Sequence, residues 1–186
     1  IFPQIFTPVH VIFLELVMGP TCSIVYENEP LERHAMLNKP RKMTDTFLNW
    51  KELAISIVQG LAITAGVLFA YQYTVQNGGS EEKTRAMVFT TLIFSNLLLS
   101  LANRSFYYSL LQSFKNKNVL FAGVSALTLV LLFVILYVDF FTAFFRVTDL
   151  SASELAAAFG IASIAVLWFE LYKWVKRMRY PYKNLN

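Results

Sequence analysis

Five long apolar runs, separated by stretches that carry most of the charge, organise this chain of 186 residues. They cover about residues 9–26, 50–73, 86–102, 119–138 and 155–174. Each approaches or exceeds the roughly 17–25 residues that a membrane-crossing helix needs. None shows the alternation of apolar and polar residues over about 10 positions that marks a membrane barrel strand. Gly60, Ala62, Ala65 and Gly66 in the second run suit close approach between helices. The expected fold class is all-α, a polytopic transmembrane helical bundle of five membrane helices, forming one membrane domain over residues 1–186.

The connections are uneven. Residues 27–49 form a long polar linker, and residues 74–85 a short connection with a turn at Asn77-Gly78-Gly79. Tyr71, Tyr73, Phe140, Phe141 and Trp174 lie near the ends of the runs and read as interfacial anchors.

Composition agrees with the pattern. Hydrophobic residues make up 56% of the chain and charged residues 15%, away from the soluble averages of about 45–50% and about 25%. The net charge of +4 gains meaning once it is mapped onto the connections. Five helices put the linker 27–49, residues 103–118 and the C-terminal tail from Lys173 on one side, and with Lys51 at the start of the second run that side takes 13 of the 16 basic residues. The positive-inside rule makes this side cytoplasmic, with the N-terminus outside and the C-terminus inside. No basic patch falls on a soluble fold, so no nucleic acid is expected as a partner; the lipid bilayer is. The single cysteine, Cys22, excludes an intrachain disulfide.

The candidate chemistry sits in the first run. Glu15 lies near its middle, and a central carboxylate costs about 2.5–3.5 kcal/mol on insertion scales. Intramembrane acids mark ion or substrate paths by default; the alternative is a protonated glutamate held by a neighbouring helix. Pro20 has no amide hydrogen, so the Leu16 carbonyl loses its helical partner, and Gly19 lets the backbone loosen there. A broken helix at Gly19-Pro20 would thus offer free carbonyl oxygens one turn from a carboxylate, which are ligands for a hard cation. Helical spacing puts Glu15, Met18, Gly19 and Cys22 on one face. Gln59, Ser95 and Asn96 could add oxygen ligands, or serve as hydrogen bonds between helices. His10 and His34 have no partner at metal-ligand spacing and read as incidental. The sequon at Asn103-Arg104-Ser105 falls on the cytoplasmic side and is discounted. No nucleophile–base pair or phosphate-binding glycine loop occurs, so the chain by itself is not expected to be an enzyme.

Several short motifs, in order, resemble the C-terminal membrane region of P-type cation-transporting ATPases, in their calcium-pump-like bacterial branch. They are Thr7-Pro8-Val9-His10 with Phe13-Leu14-Glu15-Leu16-Val17, Pro20-Thr21-Cys22-Ser23, Glu27-Asn28-Glu29-Pro30, Lys39-Pro40-Arg41, Asn103-Arg104-Ser105, Leu136-Tyr137-Val138-Asp139, and Glu170-Leu171 with Lys173. The resemblance spans nearly the whole chain and implies the sixth to tenth membrane helices of such a pump. It places Glu15 at an ion-coordinating position of the sixth helix. Gly19 stands where both calcium and sodium pumps carry an ion-binding aspartate, and the run 86–102 lacks the carboxylate of calcium pumps. A site with one carboxylate suits a monovalent ion, a proton-coupled cycle or an unusual substrate better than two calcium ions.

With a chain that starts at Ile1, the resemblance implies a piece of a longer parent in the bacterial inner membrane. That parent would use ATP and Mg, and its N-terminal helices and cytoplasmic domains would be partners of this chain. Without them, oligomers of the isolated piece are expected. The competing readings are a stand-alone structural or accessory helical bundle and a small channel; a channel would show polar stripes on several helices.

Overall fold

The computed structural model describes residues 6–27, 50–104 and 118–179, all helical apart from short connections. Helices are numbered α1 (Pro8–Glu27), α2 (Trp50–Gln76), α3 (Glu81–Asn103), α4 (Val119–Tyr137), α5 (Asp139–Phe145) and α6 (Ala152–Arg179). The linker expected over 27–49 and the end of the tail lie outside the described residues, apart from Glu27 itself, which ends α1.

Four helices, α2, α3, α4 and α6, are long and apolar enough to cross a membrane. The fully described part of α1, Pro8–Val17, is apolar but short, whereas the whole helix has 20 residues. At about 1.5 Å per residue it reaches the roughly 30 Å of a bilayer core. The protein is thus an integral membrane helical bundle.

Three boundaries differ from the apolar runs, because a helix starts at its cap and not where charge ends. Ser80 caps α3 by accepting from the Lys83 amide at 3.2 Å, and Glu81 and Glu82 fill the first turn. The expected connection 74–85 therefore shrinks to residues 77–80. It is closed by a Schellman pattern: Gly79 N–H donates to the Thr74 carbonyl and Gly78 N–H to that of Val75, with Gly78 at φ +72°. Ser151 and Glu154 form a reciprocal capping box that starts α6. The stretch 139–145 is a short helix, α5, where a plain connection was expected. It ends in a second Schellman pattern, with Arg146 in the left-handed region at φ 50°.

α3 is the central element, with more than half of its span buried. It packs against α2 and α6 on one side and α1 and α4 on the other. The first interface centres on Ile63, Ala102, Val166 and Phe169, the second on Phe89, Ile93, Leu132, Leu136 and Phe145. Hydroxyls of Thr64, Thr74, Thr91 and Thr128 donate to carbonyls four residues back, so they need no water within the bundle.

Of the small residues in α2, Gly66 makes the close approach. A Cβ there would lie 3.0 Å from Ala165 Cβ, whereas Gly60 has nothing within 4 Å and Ala65 is exposed. Gly66→Leu should therefore lower stability by about 1–3 kcal/mol through overpacking, and Gly60→Leu should leave it nearly unchanged. Unfolding midpoints of the two variants in one detergent check the contrast.

Candidate cation site

Side-chain contacts divide the bundle into two ends. At the upper end, where α1 begins, Lys83 pairs with Glu154 at 2.7 Å. Buried Arg85 reaches Glu81 at 2.6 Å and the Arg146 carbonyl at 2.7 Å, and the Tyr137 hydroxyl donates to the Leu150 carbonyl at 2.7 Å. These bonds tie α3, α4 and α6 together beside the acidic connections. At the lower end, Gln59 donates its amide to Asn103 Oδ1 at 3.1 Å, joining α2 to α3. Arg104 lies 5.0 Å from the centre of the Phe121 ring. Lys173 is almost wholly buried; it donates to the Ala102 carbonyl at 2.9 Å and pairs with Glu170.

α1 enters this frame with two unlike faces. Val9, His10, Phe13 and Leu14 turn inward, against Phe89 of α3 and Phe145 of α5. Val11, Ile12, Glu15, Leu16 and Gly19 form an exposed stripe at spacings of three and four residues. Glu15 therefore points away from every helix that α1 packs on. Met18 and Cys22 were expected on the same face; their side chains lie outside the described residues, and so does that of Pro20.

The expected break in α1 is not seen as an interruption: the helix continues from Pro8 to Glu27 through Gly19 and Pro20. A proline removes one backbone bond and leaves those on either side, so a helix can continue through it. The missing amide hydrogen is a matter of covalent structure, and the Leu16 carbonyl keeps its place beside the stripe.

Asn96 is half-buried on α3, seven residues below Phe89 and so on the same face of that helix. His10 meets Phe89 at 5.0 Å between ring centres, and α1 and α3 both descend from the upper end. An equal number of residues down α1 from His10 is Val17, so Asn96 lies at the depth of Glu15–Gly19. That face of α3 is the one that meets α1 at Phe89, whereas Glu15 is on the exposed stripe of α1. The structure thus brings Glu15, Leu16 and Gly19 onto one surface and leaves Asn96 behind it. Ser95 is buried, and its hydroxyl finds no partner. Gln59 serves as a bond between helices. Among the described residues no group of three or more His, Cys, Asp or Glu could hold a metal ion. A lone carboxylate with backbone oxygens needs ligands from elsewhere to complete a cation shell.

Residues 3–175 match the family described as "Cation transporting ATPase, C-terminus". The chain belongs to this family. As the helices and the match together show, it is the C-terminal membrane domain of a P-type cation transporter. Similar proteins include the calcium-transporting ATPase type 2C member 2 of Mus musculus, 26% identical over 94% of this chain and 19% of its own length. The type 2C member 1 of Homo sapiens is 20% identical over 96% of this chain and 19% of its own length. Calcium-transporting ATPase 1 of Saccharomyces cerevisiae is 24% identical over 80% and 16%. The chain thus spans about one fifth of the length of the cation-transporting ATPases it resembles.

Two residues important to this arrangement enter the sequence reading only within motifs, without the packing roles that they have here. His10 was read as incidental and is fully buried among aromatic rings. The signal was the pattern Thr7-Pro8-x-His10, with a cap residue followed by proline at the first helical position. Lys173 was counted as a topological charge and is a buried clamp. Its signal was Glu170, three residues earlier near the end of an apolar run.

Proposed function

We propose that this chain provides part of the cation pathway of an ATP-driven pump, with Glu15 as its carboxylate ligand. The observation that carries the reading is the position of Glu15 on the uncovered stripe of α1, in a domain of this family. An ionised carboxylate facing lipid would be costly, whereas one facing further helices of a pump has a use. The Leu16 carbonyl and the Gly19 backbone would supply oxygen ligands beside it, Asn96 would support the site from behind, and the remaining ligands would come from helices outside this chain. ATP and Mg²⁺ would be held by cytoplasmic domains, also outside this chain. Phosphorylation there would shift the helices between inward- and outward-open states.

The charge distribution supports a cytoplasmic lower end and an outward-facing upper end. Arg104 and Lys173 lie at the lower end, whereas Glu81, Glu82, Asp139, Asp149 and Glu154 gather at the upper. We propose a bacterial inner membrane as its location, from the resemblance of Pro20-Thr21-Cys22-Ser23 and Glu27-Asn28-Glu29-Pro30 to bacterial pumps. The named relatives transport calcium. A single carboxylate on these helices supports a cation of lower charge, or proton coupling, for this protein. Reconstitution of the complete pump into liposomes tests the function, with ATP hydrolysis measured against Ca²⁺, Mn²⁺, Na⁺ and K⁺ in turn. Stimulation by one of them is expected. Hydrolysis indifferent to all four would favour an accessory bundle.

A further inference from the structure

α1 begins with an unusual cap. Thr7 stands at the cap position, since its carbonyl accepts from the amides of His10 at 3.0 Å and Val11 at 3.4 Å. Pro8 follows at the first helical position, where its fixed φ and missing N–H cost nothing. In an ordinary capping box a Glu or Gln three residues on reaches back to the cap residue's own N–H. Here His10 does so: its Nδ1 accepts from the Thr7 amide at 3.3 Å and lies 2.7 Å from Thr7 Oγ1. An amide can only donate, so Nδ1 is the acceptor and the ring proton belongs on Nε2. Nε2 has no hydrogen-bond partner and lies in an aromatic enclosure. Phe89 and Phe145 meet the imidazole edge-on, at 5.0 Å and 5.4 Å between centres, and Phe6 closes a third side at 6.1 Å.

One side chain thus performs two fixings. Through Nδ1 it sets where α1 starts along its axis, and through its ring faces it sets how α1 is rotated against α3 and α5. Glu15 is five residues further, about 140° around the helix, which is why it lies on the open stripe when His10 lies inward. An error of one residue in the start would swing every side chain of α1 by about 100°. We propose that His10, locked to Thr7, is a positioning residue for the cation site, holding Glu15 at the depth and direction in which a cation meets it. The proposal rests on the reading of Glu15 as a cation ligand and goes beyond it.

The test uses the complete pump and the cation found to stimulate it, titrated against phosphoenzyme formation from ATP. His10→Phe keeps the ring contacts and removes the acceptor; Thr7→Val removes the hydroxyl but keeps the shape. Each should raise the half-saturating cation concentration by about tenfold, the scale of supporting-shell substitutions at ion sites, with the maximal phosphoenzyme level retained. Thr7→Ser and His10→Gln, which restore a capping oxygen, should recover most of the affinity. A half-saturating concentration that is unchanged in both Thr7→Val and His10→Phe overturns the proposal. So does a fall in maximal level alone, the mark of a merely structural role. If His10→Phe does not accumulate in the membrane, the Thr7 pair decides. Glu15→Gln, run in parallel, separates the two ideas. If it leaves cation dependence intact, the reading of the site fails. If it abolishes that dependence while the cap variants behave as wild type, only the positioning role fails.

Discussion

Lys173→Ala should destabilise this domain by about 3–5 kcal/mol, the scale for removing one partner of a buried ion pair. Lysines near the ends of membrane helices normally extend their ammonium towards the headgroups. Lys173 does the opposite. It is 2% exposed and folds inward, where its ammonium binds the Ala102 carbonyl, pairs with Glu170 and lies 5.2 Å from the centre of the Phe169 ring. The last carbonyls of a helix have no partner within it, and a cation at that end answers both their hydrogen bonding and the helix dipole. Lys173 does this for α3 from a neighbouring helix, so its loss uncovers a buried carbonyl and also removes the Lys173 ammonium from Glu170. The thermal midpoint of the purified chain in detergent should fall markedly, while Trp174→Ala, at an exposed position next to it, should change little. A midpoint that does not move on Lys173→Ala would mean that the ammonium is solvated and the clamp is absent.

The same residue shows where a sequence is readable and where it is not. Near-continuous apolar runs identified the membrane helices and their order, because the bilayer demands length and apolarity and little else. Caps were harder: Ser80, Asn118 and Ser151 start α3, α4 and α6 from positions outside or at the margin of the runs. α5 escaped because seven mainly aromatic residues between two spans resemble interfacial anchors. In α1 nearly every residue is apolar, so periodicity could place Glu15 and Gly19 on one face but could not say whether that face is covered. Only the packing of His10, Phe13 and Leu14 against Phe89 and Phe145 settles that the Glu15 stripe is open. The inward turn of Lys173 was illegible for a related reason. A basic residue at the end of a span satisfies the positive-inside rule whether it is exposed or buried.

Glu15→Gln should have the largest effect on activity. The change keeps the size and one oxygen of the side chain and removes its charge, so folding and membrane insertion should be retained and insertion made somewhat easier. Cation binding should suffer most, because Glu15 is the one acidic residue between Pro8 and Val25 and no second carboxylate on α1 can replace it. Gly19, one turn below on the same exposed stripe, offers only backbone. Gly19→Asp would place a second carboxylate next to the first. Where these helices otherwise supply one negative charge, this should shift preference towards divalent cations, read as a change in the order of Ca²⁺ and Na⁺ in stimulating ATP hydrolysis.

The central claim is that Glu15 faces the cation and not a structural partner. Its most direct measurement is cation-dependent phosphoenzyme formation in the complete pump, comparing wild type with Glu15→Gln at equal membrane abundance. The account predicts that the variant is made and inserted normally, and that its cation-stimulated phosphorylation falls at least about a hundredfold, as expected when a pathway loses a charged ligand in a low-dielectric site. An unchanged cation dependence in Glu15→Gln would contradict the account and leave Glu15 without a part in the cation pathway.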